Sequence, residues 1–96
     1  MLWSQGSYRR DNMEENWIKI SDVVGDRWFD KNDRLRKAFY RASKLTSYYD
    51  ERGEYHRLDG PAHTFRCRQY WYYHGKEIEV SSQEEFERYL KLKAFW

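Results

Sequence analysis

The chain is poor in the residues that punctuate or cross-link small domains. It has one cysteine, one proline and five glycines in 96 residues. A single cysteine, Cys67, excludes an internal disulfide and fits a reducing cytosol. No apolar run approaches the roughly 18 residues that a membrane span needs. The first 16 residues, MLWSQGSYRRDNMEEN, offer no apolar stretch of the kind found in a signal peptide. The sequence therefore predicts a cytoplasmic protein without a membrane partner. Net charge is also scarce. Eighteen basic residues stand against sixteen acidic ones, a balance of +2, which is too small to demand a nucleic-acid partner.

What the chain has in quantity is aromatic and charged side chains. Aromatics make up 20% of it, with five Trp, nine Tyr and five Phe, and Asp, Glu, Lys and Arg make up 35%. That mixture excludes a low-complexity tail and implies a folded object. At this length one domain is expected, burying roughly 60–65% of its unfolded surface. Each buried aromatic removes about 150–250 Å² from water, so these side chains must supply much of the stability that disulfides do not.

The organisation follows from periodicity. Residues 1–16 are mostly polar and read as a partly ordered terminus, with Trp3 and Tyr8 available for docking. Ile18 and Ile20 alternate, which fits a short strand, and Gly25-Asp26 marks a turn. Leu35, Ala38, Phe39, Ala42 and Leu45 recur at three and four residues and predict a helix over 33–46. Asp30, Asn32 or Asp33 would cap it, and bases gather toward its end. Strand-formers then run from Thr46 to Tyr49. A hairpin turn over 50–54 with Gly53 at positive φ leads to a return strand over 54–58. Asp59-Gly60-Pro61-Ala62 is a sharp connector. Further strands are expected over 63–67, 69–73 and 76–80, with a turn at His74-Gly75. Ser81 and Ser82, each three residues before a glutamate, can open a terminal helix over 82–93. The expected fold class is α+β: a small antiparallel β-meander over about 46–80, packed against two helices.

Two internal echoes stand out. Tyr48-Tyr49-Asp50-Glu51-Arg52-Gly53-Glu54 matches Tyr70-Trp71-Tyr72-Tyr73-His74-Gly75-Lys76 at a spacing of 22 with the glycines in register, a period typical of repeated supersecondary units. Trp28-Phe29-Asp30-Lys31-Asn32-Asp33 echoes the same phrase about 20 residues earlier without the glycine. It competes with the helix over 33–46, and the five-position apolar stripe favours the helix.

Gly53-Glu54-Tyr55-His56-Arg57-Leu58-Asp59-Gly60-Pro61-Ala62, followed by Trp71-Tyr72-Tyr73-His74-Gly75-Lys76, resembles a hairpin repeat of bacteriophage and bacterial proteins. Its form is Gly-x-x-His-Arg-x-Asp-Gly-Pro-Ala, a strand, then Trp-Tyr-x-Asn-Gly-Lys, similar in character to YwqK-like and MORN-type repeats. The resemblance covers about residues 46–80, with His74 where asparagine is usual. It implies a compact β-hairpin module, most of whose relatives have no assigned activity, in which His56, Arg57, Asp59, Gly60, Pro61, Trp71 and Gly75 are structural.

Chemistry is thinly signalled. His56, His63 and Cys67 match no zinc spacing, so no metal or other cofactor is expected. Asp50, Glu51 and Glu54 fall in an expected exposed turn, a poor place for a desolvated acid, and no phosphate-binding glycine loop is present. No enzyme is expected. Arg27 to Lys44 holds seven bases and two acids, a local charge of +5. Tyr70 to Tyr73 is a continuous aromatic run in which either Trp71 and Tyr73 or Tyr70 and Tyr72 face the core. The expected contact surface is Arg34, Arg36, Lys37, Arg41, Tyr70 and Tyr72, with charge steering the encounter and aromatics supplying affinity. The expected role is that of a phage-like accessory protein that binds and modulates or inhibits a host protein, such as a defence or nucleic-acid enzyme. Two other readings are a nucleic-acid-binding accessory protein using the basic helix, and a homo-oligomeric module joined through Phe95 and Trp96.

Overall fold

A computed structural model of the chain describes residues 16–93. The expectations for the N-terminal segment up to residue 15, and for the Phe95–Trp96 contact, lie outside those residues. The fold is α+β. Among the described residues, seven antiparallel strands follow one another across a single sheet in chain order: β1 (Ile18–Ser21), β2 (Gly25–Phe29), β3 (Leu35–Tyr40), β4 (Leu45–Tyr48), β5 (His63–Phe65), β6 (Arg68–Tyr73) and β7 (Lys76–Ile78). A helix, α1 (Gln83–Lys93), follows them.

The helix expected over 33–46 does not form. Those residues are the hairpin β3–β4, with Lys37, Ala38, Phe39 and Tyr40 opposite Tyr48, Ser47, Thr46 and Leu45. Two things disguise it. The β2–β3 register shifts between Trp28 and Phe29, leaving Arg36 as an extra residue that breaks the two-residue alternation. Arg41 to Lys44 then form the connecting turn, with Lys44 left-handed at φ 57°. Leu, Ala, Lys and Arg favour a helix locally, but pairing on both sides of β3 overrides that weak preference.

Smaller boundaries also move. The first turn is at Asp22–Val24, where the Asp22 carboxylate accepts the N–H groups of Val24 and Gly25. Gly25 opens β2 instead of turning, paired with Tyr40 of β3, and a Cβ there would lie 1.9 Å from the Phe39 carbonyl oxygen, so the close approach of the strands requires glycine. The return strand expected over 54–58 reduces to one bridge, Tyr49 to Tyr55, before an irregular segment to Ala62. The join between β5 and β6 falls at Arg66-Cys67, with Arg66 at φ 58°.

The core lies where α1 meets the far end of the sheet. Trp71, Ile78 and Phe86 are buried together, with Tyr73, Val80, Tyr89 and Leu90 packed around them. Trp71 Nε1–H donates to Gln83 Oε1 at 2.8 Å, and Gln83 Nε2 donates to the Leu58 carbonyl at 3.0 Å, tying helix, strand and loop at one point. Ser82 caps the helix by accepting the Glu85 N–H. The reciprocal bond comes from the Ser81 N–H to Glu85 Oε1, one residue earlier than in the usual box. The Trp71 and Tyr73 alternative is therefore the one adopted. Tyr70 and Tyr72 stand half-buried on the opposite face.

Candidate functional site

The 20-residue echo that lost to the helix is geometrically real. Asp30 Oδ1 accepts the N–H groups of Asn32 and Arg34 at 2.8 and 3.0 Å. Asp50 Oδ1 accepts those of Arg52 and Glu54, each at 2.9 Å. In both turns the aspartate N–H donates to the carbonyl four residues on, and its own carbonyl accepts from the N–H three residues on. The residue at that third position is left-handed in each: Asp33 at φ 62° and Gly53 at φ 84°. The 22-residue echo aligns glycines in different turns, since Gly75 belongs to a two-residue His74-Gly75 hairpin with both residues at positive φ, the kind that suits the twist of paired strands.

The second carboxylate oxygen distinguishes the two aspartates. Asp30 Oδ2 meets Arg36 Nη1 at 3.3 Å. The same guanidinium donates through Nε to the Tyr49 carbonyl at 3.0 Å. Arg36, the bulged residue, is thus 9% exposed and joins one turn to the next. Asp50 Oδ2 accepts from His74 Nδ1 at 2.7 Å. The expectation of an exposed acid at Asp50 is overturned: it is 4% exposed, because the turn wraps its own backbone around the carboxylate. Burial would raise its carboxyl, but the His74 bond and the two backbone N–H groups outweigh it and hold it below the usual range.

His56 completes this cluster. Its ring stacks on His74 at 3.8 Å between centroids and 13° between planes. Its Nδ1 accepts the His74 backbone N–H at 3.0 Å, which places its own proton on Nε2. Burial, and then the neighbouring His74, push His56 down to about 4, so it is neutral at pH 7. A cavity of about 290 Å³ opens beside the pair, lined among others by Trp17, Arg36, Tyr48, Glu51 and Arg57. Its lining includes imidazoles and carboxylates, and the buried acid and both imidazoles are each tied to another segment of the chain.

The basic residues occupy other positions than a helix would give them. Arg34 is exposed in the β2–β3 turn. Arg41, in the β3–β4 turn, meets Asp26 at 2.8 Å. Lys37 lies on the helix face of the sheet, in a row that sequence reading missed. Register places Lys19 opposite Trp28, Trp28 opposite Lys37, and Lys37 opposite Tyr48. The ammonium of Lys19 is 5.4 Å from the Trp28 ring centroid, and that of Lys37 is 4.6 Å from Trp28 and 4.9 Å from Tyr48. The guanidinium carbon of Arg57 lies 4.0 Å from Tyr48. Cation and ring thus alternate across four strands and the loop beyond. The signal is invisible until the pairing is known, because Lys19, Trp28, Lys37 and Tyr48 fall nine to eleven residues apart.

The motif residues take structural places. Arg57 Nε donates to Asp59 at 3.0 Å and Nη1 to the Pro61 carbonyl at 3.4 Å. A Cβ on Gly60 would stand 2.8 Å from that guanidinium, so the glycine makes room for it. On the opposite face, Tyr55 lies 5.4 Å from Tyr49, 5.0 Å from Tyr72 and 5.1 Å from His63, and His63 lies 5.7 Å from Tyr70. Tyr70 and Tyr72 are thus engaged with their own neighbours and stand apart from Lys37. His63 bonds Ser47 at 2.9 Å, and Cys67 is exposed in its turn. Among the described residues, no three of His, Cys, Asp and Glu group as a metal site would require, and no helix is long and apolar enough to cross a membrane. The chain matches no family model, no curated protein and no solved structure.

Proposed function

We propose that the protein is a non-catalytic binding module of the phage accessory kind, which docks an acidic surface of a host protein and modulates that protein. The observation that carries this reading is the row Lys19–Trp28–Lys37–Tyr48–Arg57. Cations fixed over aromatic rings are held out from the sheet with little loss of freedom on binding, which favours charge-led recognition. Lys37 is central and makes no ion pair among the described residues. The hairpin-repeat resemblance of residues 46–80 supports a scaffold role for His56, Arg57, Asp59, Gly60, Pro61, Trp71 and Gly75. The contact surface drawn from sequence contracts accordingly: Lys37 stays, Arg36 becomes structural and Lys19 joins, while Arg57 closes the row with its guanidinium held by Asp59 and the Pro61 carbonyl.

The test is capture from nuclease-treated host lysate with the intact chain and with the double variant Lys19→Glu/Lys37→Glu. A stoichiometric protein partner retained by the first and lost by the second is expected. A partner bound equally by both, or binding abolished by nuclease, would overturn the reading.

A further inference from the structure

Resting on that reading, we infer that the element received by the cation row is an acidic α-helix lying across strands β1–β4, with carboxylates on one face at every seventh residue.

Spacing is the first argument. Lys19 and Lys37 share the Trp28 ring at 5.4 and 4.6 Å, so their ammoniums stand no more than about 10 Å apart. Lys37 and Arg57 share the Tyr48 ring at 4.9 and 4.0 Å, which bounds their separation at about 9 Å. Lys19 and Lys37 stand on alternate strands of the sheet, about 9.5 Å apart, which sets the period within those upper bounds. Seven residues of an α-helix rise about 10.5 Å, within the reach of a lysine stem. Neighbours in an extended strand that share a face recur at about 6.8 Å and miss every second cation.

Confinement is the second argument. The next row on the same face is Ser21, Asp26, Phe39 and Thr46 by register. Asp26 stands in it, held ionised by Ser21, Arg41 and Lys19. It pairs with Arg41 at 2.8 Å and with Lys19 at 4.0 Å, and this row itself contributes no cation. The attractive strip is therefore one row wide and runs perpendicular to the strands, the footprint of a rod. On the other side of the core, α1 already covers the Trp71 end of this face.

The third argument separates protein from nucleic acid. Base stacking needs a free aromatic face. Trp28 lies under both Lys19 and Lys37, and Tyr48 under both Lys37 and Arg57. The rings therefore hold the chain's own cations in place.

Two fluorescent alanine-rich helical peptides of equal composition test this. One carries three glutamates at every seventh residue; the other carries them at every fifth, spread around the helix. Anisotropy at low salt reads binding to the whole protein. The expected result is at least about tenfold tighter binding of the seventh-residue peptide. That preference should be lost in Lys37→Met, which keeps the apolar stem, and restored in Lys37→Arg, with circular dichroism checking that each variant folds. Equal binding of the two peptides overturns the helix while leaving an acidic docking surface intact. Binding of neither, alongside a captured partner lost by Lys19→Glu/Lys37→Glu, also overturns the helix alone. Failure of both experiments removes the parent reading as well. Duplex DNA competing at lower concentration than the seventh-residue peptide, at the same salt, overturns the inference in favour of a polyphosphate.

Discussion

The Asp30 and Asp50 turns have the same backbone and differ in what closes them. Each aspartate gives one oxygen to its own loop. Asp30 gives the other to Arg36, while Asp50 gives it to His74, stacked on a neutral His56. The backbone solution is local, whereas the link to the neighbouring hairpin is set by one long-range partner. Both junctions rest on a carboxylate held below its ordinary range, and the second adds a stacked pair of imidazoles.

The most damaging way to break the comparison is to remove the aspartates. Asp50→Ala leaves two loop N–H groups and an imidazole without their acceptor and should cost about 2–4 kcal/mol. Asp30→Ala should be the worse of the two, since it strands a buried guanidinium. Urea midpoints of both variants check the order; Asp30→Ala the milder would refute the account of Arg36.

Acid should separate the turns next. The folded-state value of His56 is about 4 against an ordinary 6.5. Between those values the unfolded chain binds a proton that the folded chain refuses, so stability present above pH 6.5 declines as pH falls toward 4. Because His56 is only about half withdrawn from water, the loss is at most about 2 kcal/mol. Below that window, protonation of the depressed Asp50 adds to the loss. His56→Asn keeps an acceptor for the His74 N–H and should flatten the slope between pH 6.5 and 4 in urea titrations. An unchanged slope would place the titration elsewhere.

The smallest effect sharpens the likeness. Asp33 occupies with a side chain the left-handed position that Gly53 fills without one. Asp33→Gly should stabilise by about 0.5 kcal/mol or leave stability unchanged, whereas Gly53→Ala should destabilise by about 1 kcal/mol. Thermal melts of the pair decide whether the two positions are equivalent.

How far the sequence can be read follows the same division. From Thr46 onward strand-formers, turn residues and capping serines agree, and strands β4 to β7 and helix α1 stand within a few residues of expectation. Before Thr46 they conflict. Arg36 interrupts the alternation of β3, the turn residues Arg41–Lys44 extend an apolar stripe with helical spacing, and the phrase Trp28-Phe29-Asp30 carried the correct information in three letters. The candidate site was legible only in part. Lys37 could be picked from charge, but its alignment with Lys19, Trp28 and Tyr48 depends on pairing register, and the burial of Asp50 depends on a turn folding around its own carboxylate. Neither is written in residue type or spacing.

The order of the strands has a consequence for how the chain reaches this state. Each described strand pairs only with its neighbours in chain order, and the longest interval between partners is residues 49–62, between β4 and β5. A sheet of that kind needs little closure entropy at any step and can zip from either end. On a ribosome its first hairpins can form while the last are still unmade. The Trp71–Phe86 seam, by contrast, has to wait until α1 has been made.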